Sequence, residues 1–265
     1  MNSTVQFVSI LILLLVLATY LILTQTIRRR RRALALRPIA AYNMLPLLVG
    51  EAIEADRPIH VSIGSSGVGG DNTILTLAAV ELAYQVAQRA AIGTSVPMIT
   101  TNETSTLPLA HGILQRAYGN RDLLERYRAN GARWYPSGAQ SLAFAAALTT
   151  TLGDERVATN VLAGNFGPEL ALVLDAAHRR RLPSIATSAS PEGQAVAYAL
   201  SDYPLIGEEV FTAGGYLGES ASQGAVIATQ DVLRGLLILL ILIPMLDALT
   251  NGALLATLGR LIGAR

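Results

Sequence analysis

Residues 58–72 read PIHVSIGSSGVGGDN and residues 73–91 read TILTLAAVELAYQVAQRAA; this stretch decides the fold. Pro58–Ile63 is a short apolar run of strand type, Gly64–Asn72 a run of turn formers, and Thr73–Ala91 carries Leu75, Ala78, Leu82 and Val86 at helical spacing. The alternation continues along the chain. Val96–Thr100 leads through TNETST into a helix near Leu107–Tyr118. Asp122–Asn130 reads as a polar helix closed by Gly131, Trp134 and Tyr135 mark a short strand, and Ser137–Leu152 is an Ala-rich helix. Val157–Leu162 precedes Gly164–Gly167 and a helix from Pro168 to Arg180; Pro183–Thr187 precedes SASPEG and a helix over Gln194–Ser201. Strands separated by helices of this length predict βαβ units, and right-handed crossovers put helices on both faces. The expected fold class is α/β, with a doubly wound, mostly parallel sheet in a Rossmann-like three-layer domain over residues 38–230.

Outward from this domain the composition changes. Val5–Ile27 (VQFVSILILLLVLATYLILTQTI) is uncharged and, at about 1.5 Å per residue, longer than the roughly 30 Å hydrocarbon core of a bilayer. A cleaved signal peptide would carry its positive charge before the apolar run and a small-residue cleavage site after it. Here Arg28, Arg29, Arg30, Arg31 and Arg32 follow the run. The expectation is a retained transmembrane helix over 1–27 and a basic juxtamembrane segment over 28–37. The N-terminus then lies outside, and the α/β domain is cytoplasmic at the inner membrane. At the other end, residues 231–265 form a second membrane segment. Gly235–Leu246 alone is too short to span, but continuing to Gly259 adds only Asp247 as a charge. One reading is a second spanning helix in which Asp247 mediates helix association. The other is a re-entrant or interfacial pair broken at Asn251–Gly252.

Composition closes several routes. All 20 basic residues are arginine, and lysine and cysteine are absent. This excludes thiolate nucleophiles, disulfides, Cys-ligated metals, Schiff-base lysines and the lysine of a P-loop. Residues 38–230 hold 11 Arg against 17 Asp plus Glu, so 11 − 17 = −6, and nucleic acid is not an expected partner. His60, His111 and His178 form no spaced metal motif, and neither metal nor cofactor is expected.

In open α/β sheets ligands bind beyond the carboxyl ends of the strands. Those ends are rich in small polar residues: Ser65, Ser66, Gly67, Gly69, Gly70 and Asp71 after the first strand; Thr101, Asn102 and Glu103 after the second; Asn165 after the fourth; and Ser188 and Ser190 after the fifth. With His111, early in the following helix, they form the candidate crevice for a small polar ligand, anionic or nucleotide-like. The glycine loop has the strand–loop–helix context of a dinucleotide site but does not match G-x-G-x-x-G. Tight-turn geometry and close helix–strand packing explain its glycines better than phosphate or nucleotide binding does, and another ligand is the remaining reading. No G-x-S-x-G elbow or Ser-His-acid set stands out, so no residue is assigned a catalytic role.

Together, the apolar N-terminal run, the arginine run, GSSGVGGDNT, PMITTNETSTLPLAHG and VLAGNFGPE resemble an uncharacterised bacterial membrane-protein family, a domain of unknown function, over about Ala33 to Met245. The resemblance implies a prokaryotic inner-membrane location and carries no activity. The leading expectation is a non-enzymatic, membrane-anchored scaffold or subunit, a homo-oligomer or a partner of other membrane proteins in the lipid bilayer. The alternatives are a ligand-sensing domain using the crevice, and a membrane-bound hydrolase or transferase using Ser65 or Ser66, Thr101, Glu103 and His111. An open crevice lined by the polar loops favours the alternatives.

Overall fold

Alternation along the strands sorts side chains onto two faces of one sheet. In the computed structural model, which describes residues 3–30, 37–218 and 221–249, Ile59, Val61 and Ile63 of β1 (Ile59–Gly64) enter one core. In β4 (Thr159–Asn165), Val161 and Ala163 join that core while Leu162 enters a second one across the sheet. The remaining strands are β2 (Met98–Thr101), β3 (Ala132–Trp134), β5 (Ser184–Ser188) and β6 (Tyr203–Pro204). Their order is β3-β2-β1-β4-β5-β6, and every pairing is parallel.

The helices form the outer layers. The first core takes α2 (Ala40–Glu54), α3 (Thr73–Ala90) and α4 (Leu107–Gly119); the second takes α5 (Leu142–Asp154), α6 (Leu170–Arg179) and α7 (Pro191–Leu200). α8 (Ala213–Leu217) follows β6. The chain winds outward from β1 to β3, then returns to β4 beside β1 and winds the other way. β1 and β4 are thus the neighbours at which the direction of winding reverses, and the three-layer α/β reading holds.

Several local expectations differ. The polar helix expected over 122–130 is instead two short 3₁₀ turns, Leu124–Arg126 and Ala129–Gly131. Asp122 lies in the left-handed region (φ 56°), which breaks a continuous α-helix there. The helix expected from Ser137 starts only at Leu142, because Gly138, Gln140 and Ser141 all have positive φ. α2 went unread in the sequence. It forms because Ala41, Leu45, Leu48 and Ala52, spaced three or four apart, bury one face.

The chain divides into two compact units, Arg37–Gly218 and the two flanking stretches together. In the flanking unit α1 (Ser3–Arg30) and α9 (Ala221–Leu249) pack against each other. Their exposed side chains include Leu13, Ile22, Leu240 and Ile241. Counted over the described residues alone, no helix is long and apolar enough to cross a membrane, so the expected membrane helices are not part of what the fold establishes. Arg31, Arg32 and the expected break at Asn251–Gly252 lie outside the described residues, as do the side chains of Arg28, Arg29, Arg30 and Asp247.

Candidate functional site

The two strand ends at the reversal are joined by close backbone contact. Gly64 closes β1 with φ +65°, and a Cβ there would meet Asn165 O at 2.7 Å and the Phe166 ring at 2.9 Å. Ser65 N donates to Asn165 O at 2.9 Å, and Asn165 N donates to the fully buried Ser66 Oγ at 2.8 Å. Gly164 lies so close to Ile63 O that no side chain fits. The loops after β1 and β4 therefore form one rigid ledge.

Beside this ledge a crevice of about 620 Å³ opens at the carboxyl ends of β1 and β4. Ser65 forms one wall, Asn165, Gly167–Glu169, Ala171 and Leu172 another, Gln140–Leu142 a third, and Glu192 the rim. Ser65 Oγ accepts from Asn102 Nδ2 at 2.7 Å, which leaves its own proton free to donate. Asn102 is itself held by Trp134 Nε1, which donates to its carbonyl at 2.9 Å. Glu169 Oε1 accepts from Gly167 N at 2.8 Å, and Glu169 is buried at the start of α6. A carboxylate of the protein thus already occupies this helix N-terminus, where an external anion would otherwise sit.

The third wall is strained. Gln140 (φ 49°, ψ 32°) and Ser141 (φ 55°, ψ 18°) are consecutive left-handed residues, and neither is glycine. Such conformations cost on the order of 1–2 kcal/mol each and persist only where the surroundings impose them.

The remaining residues expected in the crevice separate into supports and bystanders. Thr101 is buried and accepts from Glu103 N at 3.1 Å. Glu103 and Ser105 flank Gly67, leaving it little room for a side chain. Ser188 Oγ accepts from Phe166 N at 3.0 Å and from Ser190 N at 3.1 Å, bracing the β4 and β5 loops. Gly69, Gly70 and Asp71 are exposed and do not line the crevice. The loop turns back on itself there through Gly69 N to Thr73 Oγ1 at 2.9 Å and Thr73 Oγ1 to Gly70 O at 2.7 Å. His111 Nδ1 bonds Tyr127 OH at 2.9 Å, so the proposed Ser, Thr, Glu and His group does not assemble around one reacting point.

His60 is completely buried within the sheet. Its Nδ1 donates to Asn160 Oδ1 at 2.6 Å, and its Nε2 accepts from Thr100 Oγ1 at 2.8 Å. Burial pushes its pKa down to about 4, so the ring is a neutral cross-strand brace. Among the described residues no cluster of His, Asp and Glu is arranged to hold a metal ion.

Sequence reasoning missed Glu169, Ala171 and Leu172 as lining residues, and likewise Gln140, Ser141 and Leu142. The only local signal for the last three is Gly138, whose φ of +65° breaks the apparent helix.

The chain matches the family described as Domain of unknown function (DUF6754) over residues 2–258. No curated protein and no solved structure matches it. Because the match covers nearly its whole length, the chain belongs to the DUF6754 family.

Proposed function

We propose that this DUF6754 protein is a membrane-anchored α/β protein that binds a small polar ligand in the crevice between the β1 and β4 loops. The observation that carries this reading is an open crevice in which a few polar groups, Ser65, Asn165, Glu169 and Glu192, are set among apolar side chains such as Leu142 and Leu172, with two strained non-glycine residues on its wall. Two left-handed non-glycine residues in succession persist only where the surroundings hold them, which favours a wall of fixed shape.

Charge narrows the ligand class. Glu169 and Glu192 line the crevice and no arginine does. The ligand is therefore neutral or cationic, with amine or hydroxyl donors, rather than the anionic or nucleotide-like one expected from the loop sequences. Ser65 donates to it, and Asn165 offers both a donor and an acceptor.

The anchoring part of the reading is supported by sequence. Read whole, α1 carries no charge from Ser3 to Ile27, and its 28 residues extend about 42 Å. The arginine run then favours a cytoplasmic α/β domain at the inner membrane. The uncharged stretch Gly235–Leu246 lies in α9 and supports a second membrane contact.

The test uses the full-length chain in detergent micelles. Amino sugars, polyols, amino acids and polyamines are screened by thermal shift and by fluorescence of Trp134, the chain's single tryptophan. A ligand should raise the melting temperature in the parent protein and lose most of that effect in Ser65→Ala and Asn165→Ala. No response to any of these compounds, with stoichiometric proteins co-purifying, would replace this reading with the scaffold or subunit role.

A further inference from the structure

At the opposite edge of the sheet, where the strands begin, a larger cavity of about 1050 Å³ is lined by five arginines: Arg57, Arg128, Arg133, Arg156 and Arg180. Residues 38–230 hold only 11 arginines, so almost half the positive charge of an acidic stretch converges on one hollow. Two carboxylates share the wall. Glu155 Oε1 takes Arg133 Nη1 at 2.6 Å, while Asp56 is bonded by the Thr94 and Ser95 hydroxyls. Among the described residues the other four guanidiniums have no carboxylate partner.

Capping of helix ends explains part of this. α2, α5 and α6 end at this edge, and their last carbonyls are negative. Of these arginines only Arg180 bonds a carbonyl at an α-helix end, that of Ala176 at 3.1 Å. Arg57 donates to the Arg156 and Val157 carbonyls, past the end of α5, at 2.7 and 2.5 Å, and Arg128 to the Glu125 and Tyr127 carbonyls at 2.9 and 3.0 Å. These bonds use only one or two of the five N–H groups on each side chain. Five guanidiniums, set against two carboxylates and about half a unit for each of three helix ends, leave a surplus of about +1.5. Arg156 also occupies a left-handed position (φ 52°) where glycine or asparagine is the usual residue. Its guanidinium is exposed and has no hydrogen bond or ion pair among the described residues.

We infer that this arginine-lined hollow binds a compact polyanion carrying two or more phosphate groups. The charge surplus supplies the attraction, and guanidinium forks match phosphate oxygens in pairs. The volume is more than one phosphate needs and suits a small multiply charged molecule. The phosphate chemistry has two sources, a soluble oligophosphate or a phospholipid headgroup. The site shares no residue with the crevice between β1 and β4, so the two proposals stand or fall separately.

The test is calorimetric titration of the full-length chain, in nanodiscs of neutral lipid, with inorganic tripolyphosphate. Saturable binding that weakens as salt rises is expected. Arg156→Asn and Arg128→Gln should each lower affinity about tenfold. Both side chains are exposed, so without ligand Arg156→Asn should raise the melting temperature slightly by easing the left-handed backbone. Arg128→Gln should lower it only slightly through loss of its bonds to the Glu125 and Tyr127 carbonyls; neither variant unfolds. Arg156→Glu should abolish binding. Arg179→Gln, whose partner is Asp175 on α6, should leave it unchanged, as should Ser65→Ala. Competition then separates the sources. Displacement by a short-chain phosphatidylinositol bisphosphate at lower concentration than by inorganic pyrophosphate assigns the site to a headgroup, and the reverse order assigns it to a soluble oligophosphate. Absence of saturable tripolyphosphate binding, or full binding by Arg156→Glu, would overturn the inference.

Discussion

Gly64→Ala tests whether the ledge joining β1 to β4 is as tight as its geometry implies. Alanine in the left-handed region at φ +65° costs roughly 1 kcal/mol more than glycine. The new methyl would sit 2.7 Å from Asn165 O and 2.9 Å from the Phe166 ring, about 0.5–1 Å inside ordinary contact. Phe166 cannot move aside freely: it is 2% exposed, and its ring stacks on Phe144 at 6.4 Å between centroids. Overpacking of this kind costs about 1–3 kcal/mol. Separating the loops would also weaken the 2.9 Å bond from Ser65 N to Asn165 O, worth about 1 kcal/mol. The reduced entropy of the unfolded chain returns about 0.4–1 kcal/mol. The net loss is therefore about 2–4.5 kcal/mol, or roughly 10 °C in melting temperature for a unit of this size. Thermal unfolding followed by Trp134 fluorescence reads it directly, since the indole bonds Asn102 beside the same loops. The control is Gly112→Ala in α4, where a Cβ meets nothing within 4 Å and should stabilise by about 0.5–1 kcal/mol. A Gly64→Ala protein within about 1 kcal/mol of the parent would refute the close-contact account.

Other consequences follow from the same geometry. Because burial holds His60 neutral with a pKa of about 4, the unfolded chain binds a proton that the folded one does not as pH falls below about 6.5. Stability should therefore drop by about 3 kcal/mol between pH 6.5 and pH 4, and His60→Gln should flatten that limb in denaturant midpoints taken across the range. Gln140→Gly and Ser141→Gly should each raise stability by up to about 1 kcal/mol by removing left-handed strain, and weaken ligand binding by loosening the wall; stronger binding would count against a role for the strain. A reporter fused after residue 230 should be cytoplasmic, and an extracytoplasmic signal would refute the topology drawn from the arginine run. Asp247→Leu should weaken self-association measured by cross-linking in the membrane, and unchanged assembly would remove Asp247 from any packing role.

The three-layer fold was legible because burial imposes periodicity. Strands buried on both faces read as short apolar runs, and α3 and α6 carry apolar stripes at helical spacing. α2 escaped notice because it precedes the first strand and contains Pro46, which reads as a breaker. The crevice was half legible. Glycines and small polar residues marked Ser65 and Asn165, since close backbone approach tolerates nothing larger. The roles of Ser66 and Ser188 as internal braces, and the contact of His111 with Tyr127, depend on separations along the chain that no local pattern encodes.

The amino-acid sequence by itself determined the α/β class, the uncharged run of α1 with its arginine border, and the absence of lysine and cysteine chemistry. These are properties of composition and short-range spacing, and they hold whatever the chain packs against. Only the tertiary structure decided which polar residues face open space. Glu169 folds back onto the start of α6, Gln140 and Ser141 are forced into left-handed conformations, and five arginines distant in sequence converge at the amino edge of the sheet. The sign of charge in each cavity is a sum over residues that long-range strand order brings together. Here that sum is negative in the crevice at the carboxyl ends of the strands and positive in the cavity at their amino ends.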